Sequence, residues 1–140
     1  LETCRYNGSV LVRGDTGGPL PRWLAGDRLI LMAHGEAVAG VDLGRMGPQD
    51  LRVEGTRAVV RLPRAEVLHV RVDNRASEVW ERQAGVFTGP DPALEGKVRV
   101  EAEERLKEAA LSTGLLERAR EGAEETLRTQ LGSLGIREVE

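Results

Sequence analysis

Two histidines and one aspartate carry side chains that could support acid–base or metal chemistry at neutral pH. They are His34, His69 and Asp42. An imidazole titrates near pH 7 and binds metals through its ring nitrogens, and a carboxylate can serve beside it as a base or a ligand. The histidines lack the H-x-x-x-H and H-E-x-x-H spacings of metal sites, and Cys4 is the single cysteine. We therefore predict that the chain uses no metal, no other cofactor and no intrachain disulfide.

Asp42 has a structural and a catalytic interpretation. It follows Gly40-Val41 at the end of a predicted strand, where an aspartate commonly caps a turn. We favour this structural role and predict no catalytic residue. The alternative is a small enzyme in which Asp42 and His34 form an acid–base pair that no local motif marks. His69 is expected on the solvent-facing side of its strand, and His34 at a strand end.

The stretch GDTGGP at residues 14–19 is similar to the loop that carries the nucleophilic serine of trypsin-like proteases. That chemistry needs a serine hydroxyl activated by a histidine and an aspartate from distant parts of the fold. Thr16 stands at the position of the serine, and 140 residues are too few for the two barrels of those enzymes. We favour a glycine-rich turn between strands.

The two tryptophans are the candidates for anchoring a partner, because exposed aromatic side chains often dominate interfaces. Trp23 lies in the proline- and glycine-rich segment PLPRWLAGD at residues 19–27. There we favour the alternative that it covers the end of a sheet. Trp80 lies in a predicted strand and is expected in the core or at the edge of the core.

Composition places the chain among soluble globular domains. The 140 residues carry 20 basic and 23 acidic side chains, for a net charge of −3. This balance provides no basic patch, so we expect no nucleic acid partner. No apolar run approaches the ~20 residues that a membrane-spanning helix needs. We predict a single domain over residues 1–140, with residues 1–90 mainly β, 91–135 forming two helices and 136–140 a terminal strand.

Alternating apolar residues predict the strands of the first ninety residues. Arg28–His34 is apolar on both faces, which is typical of a central strand. The alternation continues to Leu43, so we expect one long strand with a bulge or bend at Gly35. A hairpin is predicted around Glu54-Gly55. Further strands are predicted at Ser9–Arg13, at Leu68–Val72 and, after a turn at Asp73-Asn74, at Glu78–Arg82.

Two amphipathic helices are predicted after residue 90. Asp91 is suited to cap the first, with Pro92 as its first residue. Gly114 is suited to the left-handed position that ends this helix. Gly122, inside the second helix, suggests a close approach by another element. The apolar stripes of the two helices comprise Leu94, Val98, Ala102, Leu106 and Ala109, and then Leu116, Ala119, Ala123, Leu127 and Leu131.

These elements together predict an α+β fold. It comprises a curved antiparallel sheet of five to seven strands, two C-terminal helices packed on it, and a short final strand. The apolar stripes of both helices should face the sheet, because each stripe must be buried against another element.

The order of elements, together with four sequence segments, resembles the bacterial domain of unknown function 4230 family. The segments are AHGEAVAGVDL at 33–43, VVRLPRAEVLHVRVD at 59–73, EAALSTGLLERAREGAEETL at 108–127 and LGIREVE at 134–140. The resemblance implies no assigned reaction. It does imply an N-terminal hydrophobic anchor in the full-length protein, with the domain outside the cytoplasm, and the chain's start at Leu1 would fit a fragment without that anchor.

We therefore expect a soluble, non-catalytic binding or interaction module of a membrane-anchored bacterial protein. Its partner would be a protein, a lipid or a second copy of the chain, and the membrane would be reached only through the missing anchor. The small enzyme with Asp42 and His34 remains the alternative. A deep pocket of convergent polar groups would favour the enzyme, whereas a flat or grooved apolar patch would favour the interaction module.

Overall fold

The computed structural model describes residues 1–21, 24–86 and 89–140. Two short 3-10 helices, Leu43–Arg45 and Pro48–Asp50, precede the hairpin. None of the helices in the described part of the chain is both long and apolar enough to cross a membrane. The strands and α-helices, in chain order, are β1 (Glu2–Asp15), β2 (Asp27–Gly40), β3 (Leu51–Glu54), β4 (Arg57–Val60), β5 (Glu66–Ala84), α1 (Pro92–Ser112), α2 (Leu115–Ser133) and β6 (Glu138–Val139).

The strands form two three-stranded sheets, with the orders β1-β2-β5 and β3-β4-β6. β3 and β4 are the predicted hairpin; they pair antiparallel from Leu51 opposite Val60 to Glu54 opposite Arg57. The short β6 pairs parallel to β4, with Val139 beside Ala58. The predicted α+β class, the pair of C-terminal helices and the short last strand are confirmed.

The chain divides into two compact units. The first unit comprises Leu1–Tyr6, Val38–His69 and Leu111–Glu140, and the second comprises Asn7–Ala37 and Val70–Ala110. Each unit has its own buried apolar residues, and each contains a different candidate binding surface.

In the second unit, α1 packs on the sheet through the predicted stripe. The core joins α1 to apolar residues of β1 and β2, because one face of the helix and one face of the sheet must both leave water. At the end of the stripe the buried residue is Ala110, where Ala109 was predicted. The core residues are Val12, Leu29, Leu31, Ala33, Leu94, Val98 and Ala102.

In the first unit, α2 buries Leu115, Ala119 and Ala123. The stripe therefore starts at Leu115, one residue before the predicted position. The Thr3 hydroxyl of β1 donates to the Ala119 carbonyl at 2.6 Å. A Cβ on Gly122 would lie 3.2 Å from Thr3, so the close approach predicted at this glycine is confirmed.

The predicted ends of α1 are also confirmed. The Asp91 carboxylate accepts a hydrogen bond from the Ala93 backbone N–H at 2.9 Å, which satisfies one of the free donors of the first turn. Gly114 adopts a φ of 75° between the two helices, a conformation that side chains other than glycine rarely adopt.

β5 differs from the prediction of two strands and a turn. It is one strand of 19 residues that runs through Asp73-Asn74. The turn preference survives locally, because the Asp73 carboxylate accepts from the backbone N–H groups of Arg75 and Ala76, at 2.8 and 3.3 Å. β5 belongs to the sheet beside β2, and this sheet pairing outweighs the local turn preference.

Candidate interaction site

The C-terminal end of β5 is held by an ion pair in the second unit. Arg82 donates to the Asp27 carboxylate at 2.7 Å, and Asp27 is only 3 % exposed. The backbone N–H of Asp91 donates to the same carboxylate oxygen, also at 2.7 Å. The hydrogen bond from Arg82 is the main reason that the pKa of Asp27 lies below its usual value, although burial opposes this shift. The aspartate is therefore charged in the folded domain.

Arg82 also binds the beginning of α1. Its guanidinium lies 3.4 Å from the Glu95 carboxylate and donates to the Asp91 carbonyl at 3.2 Å. The pKa of Glu95 is lowered, first by a hydrogen bond from Arg99 and then by the charges of Arg99 and Arg82. Asp27 raises the pKa of Arg82. One guanidinium thus joins the end of β5 to the first residue of β2 and the first turn of α1.

This network leaves two polar atoms unsatisfied. Asp27 Oδ1 and Arg82 Nε are buried and have no hydrogen-bond partner among the described residues. Asp27 lines two cavities, of about 660 and 460 Å³, and Arg82 lines the larger one. A buried charged group without its full set of hydrogen bonds is costly, so the fold depends strongly on the pair.

The middle of β5 is held at a second point. The Ser77 hydroxyl donates to the Asp73 carbonyl at 2.5 Å and accepts from the His34 backbone N–H at 3.1 Å. The backbone N–H groups of Arg75 and Ala76 lower the pKa of Asp73. An open cavity of about 870 Å³ adjoins this point, and its lining includes Asn7, Ser9, His34, Arg71, Asp73 and Arg75.

Between these two points, β5 presents apolar side chains to solvent. Trp80 is 62 % exposed and Val79 is 49 % exposed. β5 is the last strand in the order β1-β2-β5, so no other strand described here pairs with its outer edge. An unpaired edge carries free backbone donors and acceptors. The segment Glu78–Glu81 thus combines hydrogen-bonding capacity with an exposed tryptophan.

Asp42 makes the contacts of a capping residue. Asp42 caps the 3-10 helix Leu43–Arg45 by accepting from the Gly44 N–H at 3.0 Å, and it forms an ion pair with Arg45 at 3.3 Å. It lies in the first unit together with His69, which is partly buried, whereas His34 lies in the second. Among the described residues, no group of histidine, cysteine, aspartate and glutamate could hold a metal ion.

The protease-like loop contributes to the strand pairing at Asp27. Thr16 N–H donates to the Asp27 carbonyl at 2.9 Å, and the Asp27 N–H donates to the Thr16 hydroxyl at 2.6 Å. Thr16, which directly follows β1, therefore has a structural role beside the first residue of β2. Trp23 lies outside the described residues. Trp80 is 62 % exposed, so the expectation that it lies in the core or at the edge of the core is wrong.

No sequence pattern marks the Asp27–Arg82 pair. The two residues are 55 positions apart, and no spacing rule connects them. The available signal was an acidic residue directly before RLILMAH, a segment that is apolar on both faces. A charge at the start of a fully buried strand needs a partner, but this rule does not say which of the 18 arginines provides it.

Comparison with known proteins identifies a family and no individual relative. No curated protein and no solved structure matches the chain. A family model described as "Protein of unknown function (DUF4230)" matches residues 1–140. Because this match covers every residue, the chain belongs to the DUF4230 family.

Proposed function

We propose that the chain is a non-catalytic interaction module that binds an extended segment of another protein along the outer edge of β5. The observation that carries this proposal is the exposure of Trp80 on a strand edge that is held at Ser77 and at Arg82. A rigid edge binds with less loss of conformational entropy than a mobile one. A partner segment would join as an additional strand through backbone hydrogen bonds.

The charges beside Trp80 indicate the chemistry of the partner. Glu78 and Glu81 flank Val79-Trp80, and neither has an ion-pair partner in the part of the chain that the structure describes. A segment with an aliphatic residue beside lysine or arginine would complement both features. Its cation can pair with a glutamate or lie over the indole ring, which attracts cations. The partner is therefore an extended, basic and apolar protein segment.

The family resemblance set out above supports the wider context of this proposal. It implies that the full-length protein is bacterial and carries a membrane anchor, with this domain outside the cytoplasm. The partner would then be another protein of the cell envelope. Fractionation of cells that produce the full-length protein tests the anchor: release into the soluble fraction without detergent would contradict it.

Binding of defined peptides tests the proposal directly. Twelve-residue peptides selected on this chain by phage display would be resynthesised, and their affinities measured by fluorescence polarisation. We expect selection of basic peptides rich in β-branched residues, and at least tenfold weaker binding by Trp80→Ala. Val100→Ala, which removes a 63 % exposed side chain from α1, is the matched control and should bind as the wild type does.

Three outcomes would overturn the proposal. They are equal binding by Trp80→Ala and the wild type, an equal loss in both variants, and a failure to select any peptide. Analytical ultracentrifugation of the chain alone tests whether a second copy of the chain binds this edge. A dimer that Trp80→Ala dissociates would assign the edge to a second copy of the chain in place of a different protein.

A further inference from the structure

We propose that the first unit binds an amphiphilic anion, meaning an aliphatic chain with a phosphate or carboxylate head. The site is a cavity of about 440 Å³ lined by α2, by β4 with the residues that follow it, and by the end of β6. We call it the arginine cavity, because its lining includes Arg61, Arg64, Arg120 and Arg128. It belongs to a different unit from β5's Trp80, so this inference does not depend on the proposed function.

The helical side of the arginine cavity contributes two arginines and one glutamate to the lining. Arg120, Glu124 and Arg128 follow one another at four-residue intervals, which places them on one face of α2. Glu124 lies 2.5 Å from Arg120 and 3.7 Å from Arg128, so one carboxylate serves two guanidinium groups. Arg120 also binds Glu117 at 2.7 Å. The longer distance leaves Arg128 the more weakly paired of the two.

The opposite side adds two arginines without acidic partners. Within the described residues, neither Arg61 nor Arg64 forms an ion pair. The backbone at Arg61 is held in place, because its N–H donates to the Asp50 carbonyl at 2.8 Å. The second carboxylate of the lining, Glu140, is paired with Arg57, which is outside the cavity. The lining therefore has an excess of positive charge.

The remaining lining is apolar, and it distinguishes this cavity from a simple anion site. Leu127 was predicted as a buried stripe residue, but it is only partly buried and faces the cavity. An inorganic anion would leave this surface in contact with water, whereas an aliphatic chain would cover it. Guanidinium groups match phosphate and carboxylate oxygens in geometry and charge. The apolar lining residues are Val60, Leu62, Pro63, Leu127 and Val139.

Calorimetric titration with decyl phosphate, below its micelle concentration, tests the proposal. Inorganic phosphate has only the anionic head, and decanol has only the aliphatic chain. Both should bind at least tenfold more weakly than decyl phosphate. Decanoate should bind comparably to decyl phosphate, because the arginines accept either head. Chemical shifts of the Leu127 and Val139 amides should change on titration, which locates the ligand without any variant.

Paired variants complete the test. Arg61→Gln with Arg64→Gln should weaken decyl phosphate binding at least tenfold. Arg71→Gln with Arg75→Gln removes the same charge from the second unit and should change the affinity less than twofold. Both pairs are at exposed positions, and thermal melting checks that each variant folds. Equal affinity of the two paired variants would overturn the proposal. So would equal binding of phosphate or of decanol, which would mean a site for the head alone or for the chain alone.

Discussion

Arg82 of β5 and Asp27 of β2 form a 2.7 Å ion pair between residues 55 positions apart. Asp27 is the single charged residue buried among those described, and Arg82 connects it to the first turn of α1 through Glu95. A buried charge that loses its partner is far more costly than an exposed one. The stability of the second unit should therefore depend on this pair, and its pH dependence should report it.

We expect Arg82→Met to lower the free energy of unfolding by about 3–5 kcal/mol, because Asp27 is left buried and charged without its partner. Urea denaturation measures this loss. Arg99→Gln is the control, since it breaks a partly exposed pair with the same Glu95; it should cost on the order of 0–1 kcal/mol. Combining Arg82→Met with Asp27→Asn should recover part of the lost stability. Equal stabilities of Arg82→Met and Arg99→Gln would contradict a special role for the buried pair.

Stability should fall in acid for a reason that can be assigned to Asp27. Its pKa in the folded domain lies below the usual 3.8, mainly because of the hydrogen bond from Arg82. A lowered pKa stabilises the fold above the unfolded-state value, and this stabilisation is lost as the pH falls through the folded value. The urea concentration at the unfolding midpoint should therefore decrease as the pH is lowered below about 4–5. Asp27→Asn should show a smaller drop, and an identical pH profile would exclude Asp27 as the cause.

Leu106 and Leu127, one from each predicted helix stripe, should respond differently to a charge. Leu106 is 1 % exposed in the second unit, and Leu106→Asp should prevent folding because it buries an unpaired carboxylate. Leu127 faces the arginine cavity and is partly exposed. Leu127→Asp should therefore leave a folded chain with a lower melting temperature. Circular dichroism melting distinguishes the two, and a wild-type melting temperature for Leu106→Asp would contradict the packing described here.

Gly35 should tolerate no side chain. A Cβ there would lie 2.3 Å from the Arg71 carbonyl oxygen and 2.8 Å from Leu106, so backbone or core atoms must move. We expect Gly35→Ala to cost about 1–3 kcal/mol. Gly96→Ala in α1 meets nothing within 4 Å and should stabilise the helix by up to about 1 kcal/mol. Thermal melting should give a lower melting temperature for Gly35→Ala and a higher one for Gly96→Ala. Stabilisation by Gly35→Ala would be inconsistent with the close approach.

Local chemistry made several elements predictable. Asp91 and Pro92 begin α1, Gly114 separates the helices, and Glu54-Gly55 marks the hairpin of β3 and β4. In each case, a cap, a left-handed glycine or a turn is satisfied by residues within a few positions. Such signals are read correctly because their energies do not depend on the rest of the fold.

The same local reasoning failed at Asp73-Asn74 for a physical reason. The expected hydrogen bonds from Arg75 and Ala76 to Asp73 do form. However, they occur within β5, which is paired in its sheet, and the chain does not reverse. The residues of a turn motif determine which local hydrogen bonds can form. Whether the backbone reverses there depends on its pairing with the neighbouring strand.

By itself, the sequence determined the α+β class, the capped helices, the hairpin and the absence of metal-site spacing, because each depends on short-range geometry or on periodicity. Only the tertiary structure decided that Arg82 is the partner of Asp27 and that Trp80 lies on an exposed edge. It alone brought four arginines to one cavity. These relationships join residues far apart in the chain, and their energies arise from burial and pairing that exist only once the chain has folded.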